Sequence, residues 1–208
     1  MNWTYTESDP AMMLFTAACE RFTMDFQPGS RILELGCAET DWLERMARAD
    51  NSFDLVGVDC YPQPRERVIA GDACNPGLFP PNSFDWIVML GALEHFGLGF
   101  YGDPLHLVDG DDCDGDMLAM KNVVRWLKPG GFVYFDVPVN PVGGIRENRH
   151  FRVYSPFDVT FRLLPWGLTE VHRAYSEPEP TAGTWVEEPT TVRVPYWFVA
   201  VLAQKAHV

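Results

Sequence analysis

The sequence predicts one α/β domain with a doubly wound, mostly parallel seven-stranded sheet and an antiparallel C-terminal strand. Short apolar runs rich in Val and Ile are typical of strands buried on both faces of a parallel sheet. Helical patterns separate several of these runs, as in βαβ units with right-handed crossovers. The last two apolar runs are joined by a long Pro- and Glu-rich loop without a convincing helix, which indicates an antiparallel pair at a sheet edge.

The predicted elements follow one another along a single domain of residues 1–208. The helical patterns are 10–22, 41–49 and 116–127, the last of which ends at a Pro-Gly-Gly turn. The predicted strands are 31–35, 54–58, 67–70, 85–90, 132–137, 168–174 and 192–204. This division gives an N-terminal helical cover over 1–29, a core over 30–139, and loops with the final strands over 140–208.

Composition restricts the partners of the protein. The chain carries 16 Lys and Arg against 29 Asp and Glu, a formal net charge of −13, which repels nucleic acids and anionic membranes. No apolar run approaches the roughly 20 residues that a membrane-spanning helix needs, and the first ten residues do not resemble a signal peptide. The five scattered cysteines predict neither a disulfide framework nor a zinc knuckle. We expect a cytoplasmic protein with a small-molecule substrate, and the oligomeric state stays open.

Acidic residues follow three of the predicted strands. Glu34 ends the first strand directly before Gly36, whose missing Cβ lets a ligand approach the backbone. Asp59 ends the second strand about 20 residues further on, the spacing of a ribose-binding acid, and Asp72 follows the third. Without a Gly-x-x-Gly turn, these acids favour a cofactor with a cationic, amino-acid-like end, such as S-adenosylmethionine, over NAD. Helix capping, a solvated strand end and a turn are the structural alternatives.

A histidine follows the fourth predicted strand at the same edge of the sheet. His95 is the best candidate for a general base, since imidazole titrates near neutral pH. The glycine-rich run 97–99 after it favours this interpretation, and Glu94 or Asp103 is expected to orient the ring. The alternative is a structural histidine held by a backbone carbonyl.

Basic residues cluster after the fifth predicted strand, in a chain that is otherwise acidic. We predict that they bind a carboxylate or phosphate of the substrate, although surface ion pairs would explain them equally well. The basic cluster consists of Arg146, Arg149, His150 and Arg152. The candidate substrate-binding residues are Arg146, Arg149, His150 and, among nearby aromatic side chains, Tyr154.

The aspartates over 109–116 lack the ligand pattern of a calcium loop. Our first interpretation is therefore an acidic loop without a metal, with Asp114 or Asp116 capping the following helix. A metal is the second interpretation, in which Asp103, His95 and His106 would form a two-histidine, one-carboxylate site if the fold brought them together.

Five motifs together resemble class I S-adenosylmethionine-dependent methyltransferases. They cover roughly residues 30–139 and read LELGCAE, VGVDC, AGDA, FDWIVMLGALEHFG and WLKPGGFVYFDVP. The resemblance implies a Rossmann-like methyltransferase fold and S-adenosylmethionine as cofactor. The cofactor-binding residues that it implies are Glu34, Gly36, Cys37, Ala38, Asp59, Cys60, Asp72, Ala73 and Leu90. A narrower resemblance, carried by EHFGLG, YGD and DGD, is to an uncharacterised methyltransferase-like family of bacteria and plants.

The resemblance includes one departure and one expectation about the acceptor. Ala38 and Thr40 stand where the family usually has its second and third alternating glycines. Alanine costs little room, whereas threonine is expected to narrow the loop and to shift or weaken cofactor binding. Because the fourth strand leads to histidine and not to an Asn/Asp-Pro-Pro-Tyr-like motif, the expected acceptor is an oxygen of a small polar or anionic metabolite. A sugar, a phosphorylated compound or a natural-product intermediate would suit. The alternative is a non-catalytic or degenerate S-adenosylmethionine-binding partner protein.

Overall fold

The computed structural model describes residues 19, 21, 26–38, 40–62, 64–108, 112–146, 149–164, 167–176, 185–186 and 197–207. The helices in this part of the chain are α1 (Trp42–Ala49), α2 (Gly115–Trp126) and α3 (Pro156–Phe161), with a 3₁₀ turn at Leu93–His95. The first six strands are β1 (Arg31–Leu35), β2 (Asp54–Asp59), β3 (Val68–Ala70), β4 (Phe84–Met89), β5 (Leu107–Val108) and β6 (Asp112–Cys113). The others are β7 (Leu127–Val139), β8 (Gly144–Arg146), β9 (Phe151–Val153), β10 (Leu168–Ser176), β11 (Trp185–Val186) and β12 (Trp197–Lys205).

The main sheet has the strand order β11-β10-β12-β7-β4-β1-β2-β3. Strands β1, β2, β3, β4 and β7 run parallel, whereas β12 pairs antiparallel with both β7 and β10. The predicted seven-stranded sheet and its antiparallel C-terminal strand are confirmed. The structure adds the two-residue strand β11 and places β12 between β7 and β10. The predicted N-terminal helix lies outside the described residues except for the helical Cys19 and Arg21.

Two hydrophobic clusters cover the faces of the sheet. One contains Leu33 together with residues of α2 and α3, and the other contains Ile32 with Trp42 and Leu43 of α1. Successive side chains of a strand point to opposite faces. Glu34 is therefore on the α1 face with Ile32, and it is fully buried there.

The start of α2 differs from the prediction. Asp114 stands at the N-cap position but makes no side-chain capping hydrogen bond. Its carboxylate instead accepts a hydrogen bond of 3.0 Å from Arg162, and the fully buried carboxylate of Asp116 binds the same guanidinium. The capping expectation is wrong because both acids neutralise an arginine just beyond α3. None of the described helices is long and apolar enough to cross a membrane.

Candidate active site

The carboxyl ends of the parallel strands meet at one edge of the sheet, and the predicted site residues lie there. The turn after β1 is held by the Gly36 amide, which donates a hydrogen bond of 2.8 Å to the Val58 carbonyl. Gly36 has a φ of +78°, and a Cβ at this position would collide with Ala92 in the loop after β4. Glycine is therefore required here both by the backbone conformation and by the approach of a neighbouring loop.

Glu34 is a buried carboxyl group with one internal partner. Its Oε1 accepts a hydrogen bond of 2.5 Å from the Thr40 hydroxyl, whereas Oε2 is buried without a hydrogen-bond partner among the described residues. Burial raises the pKa of Glu34 to about 7, opposed by the Thr40 hydrogen bond and the positive charge of Arg65. Thr40, which stands in the third glycine position of the family pattern, thus hydrogen-bonds Glu34 of the first motif.

Arg65 braces the loop after β1, and sequence reasoning missed it. Its Nη1 donates to the Cys37 carbonyl at 2.7 Å, while Nε and Nη2 bind the two carboxylate oxygens of Glu44 at 2.9 and 2.6 Å. This bidentate pair joins the loop to helix α1. Arg65 lies in the irregular segment between β2 and β3, so no periodic pattern or motif marked it.

Asp59 joins the ends of β1 and β2. Its Oδ2 accepts from the Ala38 amide at 3.1 Å and its Oδ1 from the Tyr61 amide at 2.9 Å. Cys60 follows it and is half-buried. Carboxylate oxygens have more than one lone pair, so these bonds leave Asp59 able to accept further hydrogen bonds.

Asp72 lies in the turn after β3, as predicted. Its Oδ1 accepts from the Cys74 amide at 2.8 Å, and its Oδ2 lies 3.2 Å from Nε2 of His106. The neighbouring Ala73 is buried, and its carbonyl accepts from the Asn122 side chain at 2.8 Å. The carboxylate therefore has both a turn-forming partner and a histidine partner.

Leu90 and an acid that sequence reasoning missed lie where β4 and β7 end. Leu90 is buried, and the amide of the following Gly91 donates a hydrogen bond of 2.7 Å to Asp136. Asp136 is fully buried, which raises its pKa to about 8. In the sequence, Asp136 is marked only by being a single acid inside the otherwise apolar run FVYFDV.

His95 has one ring nitrogen in a defined role. Its Nδ1 lies 2.7 Å from the backbone carbonyl of His150, and because a carbonyl only accepts, Nδ1 carries the proton. Nε2 of the neutral ring is then an acceptor. Burial lowers the pKa of His95 to about 4, against the opposing effect of the His150 carbonyl. The expected titration near neutral pH is thus corrected: the ring is neutral there.

The two acids expected to orient His95 have different positions. Oε1 of Glu94 lies 4.0 Å from the free Nε2 of His95. Burial and the nearby Asp136 raise the pKa of Glu94 well above its usual value, which favours its neutral form. Oδ2 of Asp103 accepts from the amides of Gly97 and Gly99 at 3.0 and 3.3 Å. Asp103 therefore closes the glycine loop, and the His150 carbonyl orients His95 instead.

The basic cluster separates into internal and outer residues. Arg152 is 4% exposed, donates to the Phe96 carbonyl at 2.8 Å and pairs with Asp116 at 3.7 Å. The hydroxyl of the buried Tyr154 donates to Asp116 at 3.0 Å, so the candidate substrate residue Tyr154 has an internal partner. Arg152, which pairs with Asp116, therefore stabilises the fold and does not form an open binding site for an anion.

The remaining candidates lie nearer the surface. His150 stacks on Phe100 with ring centroids 4.3 Å apart, and its Nε2 lies 2.9 Å from the Tyr101 hydroxyl. Arg149 is half-buried with a φ of +71°, and the side chain of Arg146 lies outside the described residues. His150 thus contributes a carbonyl to His95 and a ring to an aromatic cluster beside it.

A solvent-open groove lies beside β9 and α3. Its lining includes Ile145 of the β8–β9 hairpin and two arginines, Arg152 and Arg162, which both pair with Asp116. The groove runs along the same hairpin that supplies the His150 carbonyl.

Comparison with known proteins places the chain in a family. Residues 13–172 match the methyltransferase domain family. The chain belongs to this family. The class I methyltransferase superfamily predicted from the motifs is thereby confirmed, and no curated protein sequence matches the chain.

Solved structures support the same fold. The chain resembles a 1,6-didemethyltoxoflavin N1-methyltransferase from Burkholderia thailandensis with a TM-score of 0.67 and 14% identity, over 96% of this chain and 80% of that one. It resembles the N-methyltransferase NodS from Bradyrhizobium japonicum with a TM-score of 0.61 and 17% identity, over 96% and 89% of the two chains. Both were crystallised with S-adenosylhomocysteine. The [4+2]-cyclase SpnF matches with a TM-score of 0.65 and 17% identity, over 99% and 87%.

Proposed function

We propose that the protein transfers a methyl group from S-adenosylmethionine to an oxygen of a small polar or anionic metabolite. A sugar, a phosphorylated compound or a natural-product intermediate fits this class. Membership of the methyltransferase domain family and a Rossmann-like fold support methyl transfer. The choice of oxygen rests on His95 and not on the fold, since the neighbours with this fold include N-methyltransferases.

The strand-end acids fit the cofactor. The unpartnered, buried Oε2 of Glu34 suits an α-ammonium group, which would offset the cost of burying that carboxyl. Asp59 suits the ribose hydroxyls and Asp72 an adenine amino group, because both carboxylates keep acceptor capacity. When bound, S-adenosylmethionine supplies an electrophilic methyl group on a sulfonium.

The hydrogen bond from His95 Nδ1 to the His150 carbonyl carries the proposal for an oxygen acceptor. It leaves Nε2 as an acceptor at the end of β4, where it can align a hydroxyl and receive its proton. A base with a pKa of about 4 is too weak to ionise a hydroxyl beforehand. It suffices when the proton leaves late, since an oxygen that has gained a methyl group is strongly acidic. Neutral Glu94 adds no negative charge beside Nε2 that would raise the pKa of His95.

Arg146 and Arg149 of the basic cluster supply the proposed contact to an anionic substrate. Arg152 and Tyr154 are not proposed for this contact, because both pair with the buried Asp116. The aromatic cluster of Phe100, Tyr101 and His150 forms a wall next to His95.

The proposal is tested with His95→Gln in an assay of S-adenosylhomocysteine release. The acceptor panel contains sugars, phosphorylated sugars, phenols and amines. The variant is expected to lose 10²- to 10⁴-fold in turnover, the usual contribution of a general base. Calorimetry is expected to give an unchanged affinity for S-adenosylhomocysteine. His172→Gln on β10 is the matched control. Full turnover of His95→Gln on a hydroxyl acceptor contradicts the role of His95.

The alternative is a non-catalytic, cofactor-binding partner protein, which Thr40 in the third glycine position favours. Its hydroxyl occupies one oxygen of Glu34. Cofactor binding without turnover on any acceptor supports this alternative. Lack of binding to both S-adenosylmethionine and S-adenosylhomocysteine contradicts both proposals.

A further inference from the structure

Three potential metal ligands meet beside the end of β3. They are Asp72 and Cys74 from the turn after β3 and His106 from the segment just before β5. One carboxylate oxygen, the thiol sulfur and one imidazole nitrogen all lie within 4.8 Å of one another. The shortest separation is 3.2 Å, between Oδ2 of Asp72 and Nε2 of His106. Among the described residues this is the one such group of His, Cys and acidic side chains.

The backbone holds each of the three residues in place. The Cys74 amide binds Oδ1 of Asp72 at 2.8 Å, which turns Oδ2 towards His106. The amide of His106 donates to the Gly97 carbonyl, and its own carbonyl accepts from the Asp114 amide, both at 3.1 Å. The ligand atoms are therefore presented by fixed turns and do not depend on long flexible side chains.

A glycine contact brings His106 to this position. A Cβ on Gly97 would lie 2.5 Å from the Cα of Gly115 and 3.3 Å from the Cβ of His106. The loop that carries His106 can thus approach the start of α2 only with glycine at 97. Cys74 lies at the same junction, with its sulfur 3.2 Å from the Gly115 carbonyl.

We propose that Asp72, Cys74 and His106 form a binding site for a divalent transition metal, with Zn²⁺ the best match. Thiolate, imidazole and carboxylate are the three ligand types that zinc accepts together, and three protein ligands leave a fourth position open. With usual zinc–ligand lengths, ligand atoms in a tetrahedral site are about 3.3–3.7 Å apart. The observed separations require the cluster to contract by roughly 1 Å at most, within reach of side-chain rotation. The thiol exchanges its hydrogen bond to the Gly115 carbonyl for the metal and releases its proton.

The metal and the adenine of the cofactor would share one carboxylate. Asp72 is the acid proposed to accept from the adenine amino group, so a bound zinc ion would weaken cofactor binding. By linkage, the cofactor would weaken zinc binding by the same factor. This consequence rests on the proposed function, whereas the metal site itself does not.

The site is tested on the full chain without cofactor, using Zn²⁺ in calorimetry and Co²⁺ in absorption spectroscopy. One equivalent of Zn²⁺ is expected to bind, and Co²⁺ is expected to give a thiolate charge-transfer band. Cys74→Ser should abolish that band, and His106→Gln should weaken Zn²⁺ binding by roughly 100-fold or more. Cys19→Ala removes a buried thiol from the other core cluster and should change neither signal. His106 is partly exposed, so His106→Gln also serves if Cys74→Ser fails to fold.

Two results would overturn the metal site: no binding of Zn²⁺ by the wild-type chain, or binding that neither substitution weakens. Competition is measured separately, with S-adenosylhomocysteine titrated into the apo protein and the zinc-loaded protein. Weaker binding to the loaded protein supports the shared carboxylate, and equal binding contradicts it. A chain that binds zinc but no S-adenosylhomocysteine contradicts the proposed function and leaves the metal site standing.

Discussion

The two halves of the site are built in different ways. On the cofactor side, Glu34 and Asp59 lie at the ends of β1 and β2 and Asp72 lies two residues after β3, so they meet because parallel strands end at one edge. On the acceptor side, His95 depends on a carbonyl 55 residues away, and Arg152 reaches a carbonyl 56 residues away. The first half is encoded locally by strand ends, and the second is assembled by long-range contacts through the β8–β9 hairpin.

The electrostatics of the two halves differ as well. On the cofactor side, Glu34 is a buried acid with an unpartnered oxygen, a cost that a ligand would offset. On the acceptor side, the buried Asp116 is saturated by Tyr154, Arg152 and Arg162. Asp116 is thus satisfied within the fold, whereas Glu34 keeps an oxygen for a charged ligand. On the acceptor side, Glu94 and Asp103 also each have one buried oxygen without a hydrogen-bond partner among the described residues.

The largest expected effect is loss of stability in Asp116→Asn. Asp116→Asn removes the buried negative charge that Arg152 and Arg162 share and leaves Asp114 as an acidic partner of Arg162. Removing one partner of a buried charge network costs about 3–5 kcal/mol. Chemical denaturation measures the free energy of unfolding. Asp114→Asn is the matched control, because Asp114 is partly exposed and makes one bond to Arg162, so about 1 kcal/mol or less is expected. Equal effects of the two substitutions would contradict the distinction.

Glu34→Gln is expected to stabilise the protein and weaken cofactor binding. Burial raises the pKa of Glu34 from 4.5 to about 7, so the folded state binds this proton more tightly than the unfolded state. The stability from Glu34 is complete below pH 4.5 and is lost as the pH rises to about 7, a loss of about 3 kcal/mol. Replacing the ionisable carboxyl group of Glu34 by an amide should recover most of this lost stability at pH 8.

Melting temperatures of wild type and Glu34→Gln from pH 4 to pH 8 measure this effect. The two curves should converge at the acidic end, separate progressively above about pH 4.5 and differ most above about pH 7. Affinity for S-adenosylhomocysteine should fall by roughly 10- to 100-fold, the value of a charged hydrogen bond. In the variant, this affinity should no longer increase as the pH rises through about 7, because the ammonium group is proposed to bind the ionised carboxylate. A variant less stable than wild type at pH 8 would contradict the cost of burial.

Asp103→Ala tests whether the glycine loop belongs to the acceptor side alone. Loss of the bonds to the Gly97 and Gly99 amides should cost about 1–2 kcal/mol and reduce turnover through the displaced His95. Affinity for S-adenosylhomocysteine should stay unchanged. Asp103→Asn keeps one acceptor oxygen and should restore most of the turnover. Weaker cofactor binding in Asp103→Ala would show that the two halves are coupled through this loop.

The smallest expected effect belongs to Thr40→Ala. Without the hydroxyl, Oε1 of Glu34 loses its partner, and the pKa of Glu34 rises further because this hydrogen bond favours the charged form. Affinity for S-adenosylhomocysteine at pH 7 should fall about fivefold, for a hydrogen bond of about 1 kcal/mol. Thr40→Ser keeps the hydroxyl and should bind as wild type. Tighter binding by Thr40→Ala would mean that threonine merely narrows the loop.

Much of the fold was predictable, because buried parallel strands leave apolar runs that periodicity detects. The strand-end positions of Glu34, Asp59 and Asp72 followed from the same runs. The orientation of His95 was not predictable, since it depends on a backbone carbonyl that no side-chain pattern encodes. The internal partner of Arg152 and Tyr154 was not predictable either, because the sequence does not show that α2 brings Asp116 to both of them.

The sequence by itself determined the order of strands and helices along the chain, the methyltransferase family and the acids at the strand ends. Each of these depends on residues close together in the chain. Only the tertiary structure decided which groups are buried and what partner each one has. The fold raises the pKa of Glu34 to about 7, lowers the pKa of His95 to about 4 and makes Asp116 the centre of an ion network. The physical reason is desolvation: the cost of burying a charge depends on neighbours that the fold supplies from distant parts of the chain.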